Sequence, residues 1–321
     1  PSTATKQNVG LYLQGQYKFN STVLSLGARN EWIRYTYKRA DIESLNLSRE
    51  SIEAFDIGVN QTVNKNLNIF SNFNKAFQTP NIDYFFDSAG AFAGFIRPAS
   101  SKTLNIGLNY LTAKSKTKLT LFGTKLKDEI YFNQHDESVN SLGNNISIDR
   151  SSKYGFELQN KYSFTDSLSV SINYAYIRAI IDREDSEANC VNNCAGNDLP
   201  GVSRHNLTVG VNIEPTENSK VILTQSYRSA AFADEDLNNA LDPSSSSSSK
   251  HKTPEFIKTD IAYLHTYKNN TGNWLFGSKQ IDFSAKVENL FERSHGTTLR
   301  TDVIYPSLFT RNFMFGAEFK Y

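Results

Sequence analysis

Read two residues at a time, the end of the chain separates into two faces. Phe309, Arg311, Phe313, Phe315, Ala317, Phe319 and Tyr321 fall on one face, and Thr310, Asn312, Met314, Gly316, Glu318 and Lys320 on the other. A period of two marks an extended strand whose faces meet different surroundings. A soluble sandwich would bury the aromatic face against a second sheet, whereas a barrel in a bilayer turns it to lipid and keeps the polar face for the lumen. The same alternation recurs from Asn8 onward. Val9, Leu11, Leu13, Tyr17 and Phe19 oppose Gly10, Tyr12, Gln14, Gln16 and Lys18, and Phe55, Ile57 and Val59 oppose Asp56, Gly58 and Asn60. Leu104, Ile106, Leu108 and Tyr110 continue it, as do Tyr154, Phe156, Leu158 and Tyr162, then Val170, Ile172, Tyr174 and Tyr176, then Leu207, Val209, Val211 and Ile213. The stretch 118–132 fits least well, because Phe122, Leu126 and Ile130 sit opposite Leu119 and Leu121.

The connections carry as much as the strands. Short links at 19–22, 63–66, 113–116, 164–167 and 214–219 alternate with long ones near 39–49, 77–101, 134–149, 183–200, 234–253 and 292–308; only 269–279 is long for its class. Bacterial outer-membrane barrels have this asymmetry, with short turns in the periplasm and long loops outside, and a sandwich has no reason for it. The pattern predicts an all-β antiparallel transmembrane barrel with thirteen strands in this chain. Single-chain bacterial barrels have even strand numbers, and an open edge in lipid leaves a row of backbone groups unpaired. The expectation is therefore an incomplete barrel, its remainder supplied by residues upstream of Pro1 or by another chain.

Composition adds exclusions. Lys and Arg number 34 against 33 Asp and Glu, so no global field attracts nucleic acid, and no basic block or RNA-binding aromatic motif is present. A negative mean hydropathy and the lack of a long apolar run exclude a helical membrane protein but not a barrel, since alternation averages out. Phe and Tyr dominate an aromatic content of 12%, which suits interfacial girdles. The chain begins at Pro1 without an initiator Met, as a processed chain or a fragment would. The two cysteines, Cys190 and Cys194, lie in CVNNC. A small loop-closing disulfide is expected ahead of free thiols, and a lone Cys pair is a weak zinc signature.

Several segments resemble those of TonB-dependent outer-membrane receptors. FSNFNKAFQTPNIDYFF (70–86) resembles the aromatic strand and "GFRxPxxxxLF" segment of that family, and LPGVSRHNLTVGV (199–211) is similar to its "PGxPxH" lead-in to a descending strand. KVENLFERSHGT (286–297) looks like the "VxNLFDxxY" penultimate strand, and 309–321 matches the aromatic-ended C-terminal insertion signal. The order and spacing of these segments across 8–321 make the likeness specific. It implies a barrel of 22 strands with a plugged lumen, of which this chain would supply the last thirteen. The plug domain, the first strands and the TonB-box peptide are not in this sequence. The function implied is active import, energised through the TonB complex, of a metal chelate such as a ferric siderophore, from the outer membrane of a Gram-negative bacterium. A cobalamin or other bulky-nutrient receptor of the same family and a passive pore without a plug are the alternatives.

Candidate chemistry lies in the long connections. Residues 80–100 are unusually apolar for an exterior loop, and water-exposed Tyr84, Phe85, Phe86, Phe92 and Phe95 would cost free energy. One reading folds these rings over the mouth, offering them with Arg97 to a chelate anion. The other packs them on neighbouring loops or at the outer lipid interface, with Arg97 balanced by Asp87. His135 and His295 are further loop candidates. Arg183, Arg204 and Arg300 sit near the outer rim, where one reading has them lend positive potential to the ligand funnel and the other pairs them with lipopolysaccharide phosphate or neighbouring carboxylates. The five histidines, His135, His205, His251, His265 and His295, form no metal-binding spacing, and no cofactor is expected. Ser244–Ser249 is a low-complexity tract in an exterior loop. No nucleophile elbow, phosphate loop or paired-carboxylate signature is present, so an enzyme is not expected.

Overall fold

The computed structural model describes residues 2–39, 44–87, 89–133, 144–184, 194–232, 237, 239, 252–268, 278–293, 295–300, 303–308 and 310–321. Its strands, in chain order, are β1 (Ser2–Phe19), β2 (Thr22–Arg39), β3 (Ser44–Thr62), β4 (Leu67–Gln78), β5 (Ala99–Leu111), β6 (Ser115–Asn133), β7 (Asn144–Thr165), β8 (Leu168–Arg183), β9 (His205–Thr216), β10 (Ser219–Arg228), β11 (Ala231–Phe232), β12 (Lys252–Thr253), β13 (Phe256–Lys268), β14 (Gln280–Glu288), β15 (His295–Arg300), β16 (Val303–Leu308) and β17 (Asn312–Lys320). Thirteen join one sheet in the order β1 to β10, β13, β14, β17, every neighbouring pair antiparallel. The pairs β11–β12 and β15–β16 stand apart as small hairpins. Among the described residues β1 pairs only with β2 and β17 only with β14, so the sheet is open.

Residues opposite each other in the ladder share a face, and the register carries one apolar set across the sheet. Leu26, Ile57, Phe73 and Leu104 stand in line on β2 to β5. Leu119, Leu158, Tyr174, Leu207, Tyr227 and Ile257 do so on β6 to β13. Many side chains of this face are in the open, Leu13 at 78% and Phe315 at 82% exposure. A one-residue slip would invert every face, so the apolar stripe itself pins the register. The opposite face is polar: Gln16, Ser25, Gly58, Asn72 and Asn105 form a rung on β1 to β5. Its groups bond one another, Asn105 Nδ2 donating to Asn72 Oδ1 at 2.8 Å and Thr266 Oγ1 to Asp282 Oδ1 at 2.8 Å.

The poor alternation of 118–132 has a specific cause. Phe122 belongs to the polar face, opposite Asn105 on one side and Gly155 on the other. Phe70 is a second aromatic on this face, lying over Gly107, where an added Cβ would come within 2.4 Å of its ring. Phe70 is housed by the missing side chain of Gly107, a relation that periodicity does not encode.

Three boundaries depart from expectation. β1 starts at Ser2 rather than Asn8. The expected long connection 39–49 is mostly strand, since β2 ends at Arg39 and β3 begins at Ser44. The 292–308 connection holds the β15–β16 hairpin. In the first two cases backbone pairing continues where the side chains have turned polar, because the ladder needs no apolar face outside the bilayer.

Candidate functional site

The buried residues gather at the end of the sheet that carries the long connections, in two clusters. The first is built by the β4–β5 connection. Its 3₁₀ turn, Ile82–Phe85, approaches both β1 and β7. Phe85 is 2% exposed and packs with Ile33 and Tyr35 of β2, flanked by Ile52, Phe86, Phe92, Phe95 and Ile96. Tyr35 meets Phe85 edge-on with centroids 4.9 Å apart, and Tyr37 stacks on Phe92 at 4.3 Å. Ile33, Tyr35 and Tyr37 share the polar, inward face with Glu31, so the loop folds over that face. Polar contacts hold its stem: Lys6 Nζ donates to Thr79 Oγ1 at 2.7 Å and to Pro80 O at 3.1 Å, and Tyr35 OH donates to Pro80 O at 3.1 Å. Asp87 closes its tip, Oδ1 accepting from the backbone N–H of Ala89 at 2.9 Å and of Ala91 at 2.8 Å.

Asp87 is thus committed to its own backbone. Arg97 pairs instead with Asp128, Nη1 to Oδ1 3.9 Å, and its side chain is 76% exposed. Of the aromatic candidates, Phe85 is enclosed, while Tyr84, Phe86, Phe92 and Phe95 are half-buried. Phe85, Phe86, Phe92 and Phe95 pack on Tyr35 and Tyr37 of β2, with Tyr84 half-buried and Arg97 exposed in the same loop.

The second cluster caps β7 and β8. Ile148, Ala179, Ile181, Cys194, Leu199 and Leu237 pack together, with Tyr131 and Val202 against them. Above Tyr176 the edge of β8 bonds to the following loop: Leu199 N–H donates to Ala179 O at 2.9 Å and Ile181 N–H to Asn197 O at 2.9 Å. Cys194 is fully buried and disulfide-bonded; Cys190 lies outside the described residues. So does His135. Arg183 ends β8, exposed, with Arg150 opposite it in the ladder. Arg300 ends β15 with its backbone opposite Val303. Arg204 pairs with Asp198, Nη2 to Oδ2 2.5 Å.

On β7 to β10 and β13 the inner wall holds a concavity of ≈ 570 Å³ lined by Glu157, Gln159, Asn173, Asn206, Arg228 and Lys258 among others. Arg228 lies over the Phe256 ring at 5.6 Å, and its buried Nε and one terminal nitrogen have no hydrogen-bond partner. Lys258 pairs with Asp260 at 3.0 Å. Sequence reasoning did not single out Arg228; its place on the inward parity of β10, opposite Asn206, was the signal that could have found it. Among the described residues no group of three or more His, Cys, Asp or Glu side chains is placed to hold a metal ion.

The family model described as "TonB dependent receptor-like, beta-barrel" matches residues 1–290. The chain belongs to this TonB-dependent receptor family. Solved structures agree on the fold. The unliganded ferric citrate transporter FecA superposes with a TM-score of 0.73 at 17% identity, covering 98% of this chain and 45% of that one. The copper transporter OprC gives 0.76 at 14% identity (98% and 48%), and the siderophore receptor PiuA from Acinetobacter baumannii gives 0.72 at 16% (99% and 44%). This chain thus spans a little under half the length of these receptors. No curated protein matches it in sequence. The family is one of outer-membrane receptors and transporters, not of enzymes.

The segments that resemble family motifs have local structural reasons. In KVENLFERSHGT, Asn289 is 2% exposed with φ 52°, in the left-handed region that Asn tolerates better than most residues. Its backbone N–H donates to Asp260 Oδ1 at 2.9 Å, its Nδ2 donates to Arg293 O at 2.8 Å, and its Oδ1 accepts from Arg293 N–H at 3.0 Å. One side chain thereby clasps the turn after β14. In LPGVSRH, Gly201 takes φ 72° while its N–H donates to Phe232 O at 2.9 Å. His205 then opens β9 with Nδ1 2.8 Å from Tyr174 OH. In the 70–86 segment, Pro80 is the carbonyl on which Lys6 and Tyr35 converge.

Proposed function

We propose that this chain is the C-terminal part of the barrel of a TonB-dependent active transporter, the plug and first strands belonging to residues outside this sequence. Its cargo is a metal chelate, a ferric siderophore in the first instance, and import is driven by energy delivered through the TonB complex. The observation that carries this reading is membership of the receptor family over 1–290, on a sheet whose inner face is polar and partly roofed at the long-connection end. Ferric chelates of carboxylate and catecholate type are anionic, and the inner wall offers Arg228 with unpartnered nitrogens, Lys258, and Arg97 with Tyr84 beside the aromatic cap. Arg183, Arg300 and His135 remain rim candidates for the same ligand.

The test is uptake of radiolabelled ferric siderophores and cobalamin by a strain lacking this gene, with and without TonB. Loss of one high-affinity uptake activity, restored by the gene only when TonB is present, is the expected outcome. Unchanged uptake of every substrate removes the transport assignment, and restored uptake that ignores TonB makes the barrel a passive pore.

A further inference from the structure

The inner wall carries cations at two levels, joined by one rung of the sheet. Lys258 of β13 stands opposite Ser226 of β10, and the rung runs on through Thr208 of β9, Asn173 of β8 and Gln159 of β7 to Lys118 of β6. Lys258 lies near the long-connection end of its strand, and Lys118 near the short-turn end of its own. Strands of a membrane barrel tilt by about 35–45°, so a rung perpendicular to them descends around the wall. The concavity beside Arg228 and a second one of ≈ 410 Å³ share Gln159 and Asn173 in their linings, which makes the descent one continuous polar trough.

At the short-turn end of the trough the charge is unbalanced. Lys116 of β6 stands directly opposite Lys161 of β7, one inward position nearer the turns than Lys118. Like charges so placed destabilise a sheet. All three lysines are exposed. Lys118 Nζ lies over the Phe70 ring at 5.8 Å, while neither Lys116 nor Lys161 has an ion-pair or hydrogen-bond partner among the described residues. No Asp or Glu is among the described residues that line the second concavity, whose other polar groups are amides and hydroxyls such as those of Asn109 and Ser171. On β13 to β17, by contrast, Lys258, Lys286 and Lys320 meet the carboxylates of Asp260, Glu288 and Asp282. Glu157, the one carboxylate among the described residues lining either concavity, stands on β7, between the strands of Lys118 and Arg228, and sets the two groups of cations apart.

We propose that Lys116, Lys118 and Lys161 form an exit site for an anionic metal chelate, which reaches them along this rung from Arg228 and Lys258. Passage through a lined pore needs sites that bind well enough to be entered and weakly enough to be left, and Lys and Arg side chains supply them for anions. The two ends of the trough divide in that way. Arg228 offers buried, unpartnered nitrogens at the first site, and three water-exposed ammonium groups offer a weaker hold at the second. Between them the amides of Asn173 and Gln159 and the hydroxyls of Thr208 and Ser226 replace water around the chelate without trapping its charge. The inference rests on the reading of this chain as part of a transporter of an anionic chelate, and it adds the route and the second site.

The experiment uses cells lacking the gene that carry the full receptor or its variants, with radiolabelled ferric citrate and a ferric tris-catecholate as anionic probes. Binding is measured on de-energised cells and initial uptake on energised ones, both normalised to the receptor present in the outer membrane. Losing two exposed charge contacts is worth about fivefold, so Lys116→Gln with Lys161→Gln should lower the maximal uptake rate by that factor and leave the Kd at the cell surface unchanged. Lys116→Arg with Lys161→Arg should restore the rate, and Arg228→Gln should raise the surface Kd instead. A Gln variant with wild-type uptake, or one whose Kd and rate worsen together, overturns the proposal. So does a Gln variant that admits a bulky antibiotic the wild type excludes, because the lysines would then hold the plug rather than the chelate. Wild-type cells that take up neither probe refute instead the anionic-chelate reading beneath it.

Discussion

Two side chains show how single residues hold the roofed end of the sheet. Asn289 fills a left-handed backbone position and makes both side-chain bonds of its turn. Asn289→Ala leaves Arg293 N–H and O without those partners and a β-carbon residue in an unfavoured conformation, a cost of about 1–3 kcal/mol. The expected readout is faster trypsin cleavage after Arg293, with Asn289→Asp, which keeps the acceptor, intermediate. Tyr35 combines two roles, a ring buried against Phe85 and a hydroxyl donating to Pro80 O. Tyr35→Phe removes only the bond, about 1 kcal/mol. Tyr35→Ala opens a cavity at a cost of about 3–5 kcal/mol. Hydrogen exchange checks the difference: the amides of Asp87 and Ala93, bonded to Ala91 O and Phe85 O, should exchange much faster in the Ala variant and nearly normally in the Phe variant. Equal protection in both would mean that the loop does not depend on this ring.

At the scale of the strand, the face assignment makes a sharper demand. Phe315 stands on the apolar side of β17, opposite Ala285, and Met314 stands on the inward side, opposite Lys286. An Arg near the bilayer midplane costs about 2–4 kcal/mol on a lipid-facing position. Phe315→Arg should therefore cut the amount of receptor assembled in the outer membrane several-fold, while Met314→Gln should leave it unchanged; quantitative blotting of membrane fractions decides. The strands themselves were legible because a bilayer forces strict alternation, and the sequence count of thirteen is the count in the sheet. Strand ends above the apolar band were not, since β2 and β3 go on pairing through Arg34 and Arg49 without an apolar face to advertise it. The candidate site was legible only as a composition: five aromatic residues in one loop announced a need for cover. That the cover is Tyr35 and Tyr37 of β2 is a contact between distant segments, which no local pattern carries. Arg228 was missed for the same reason, being an ordinary inward residue until Phe256 lies beneath it.

For the molecule as a whole, an open thirteen-stranded sheet with wet and greasy faces is not a stable object in lipid, because both edge strands would leave backbone groups unpaired. Receptors of this family that share its fold are roughly twice as long, and 98% of this chain superposes on a part of FecA. On the proposed reading the edges of β1 and β17 are seams at which further staves join. Strand length carries another consequence. β2, β3, β6 and β7 run 18, 19, 19 and 22 residues, whereas crossing hydrocarbon takes about 9–11. On the proposed topology the surplus stands as a palisade above the cell surface. Antibodies and bacteriophages searching the intact cell would meet the crests of these hairpins first, and any portrait they form of this protein would be drawn from its rim.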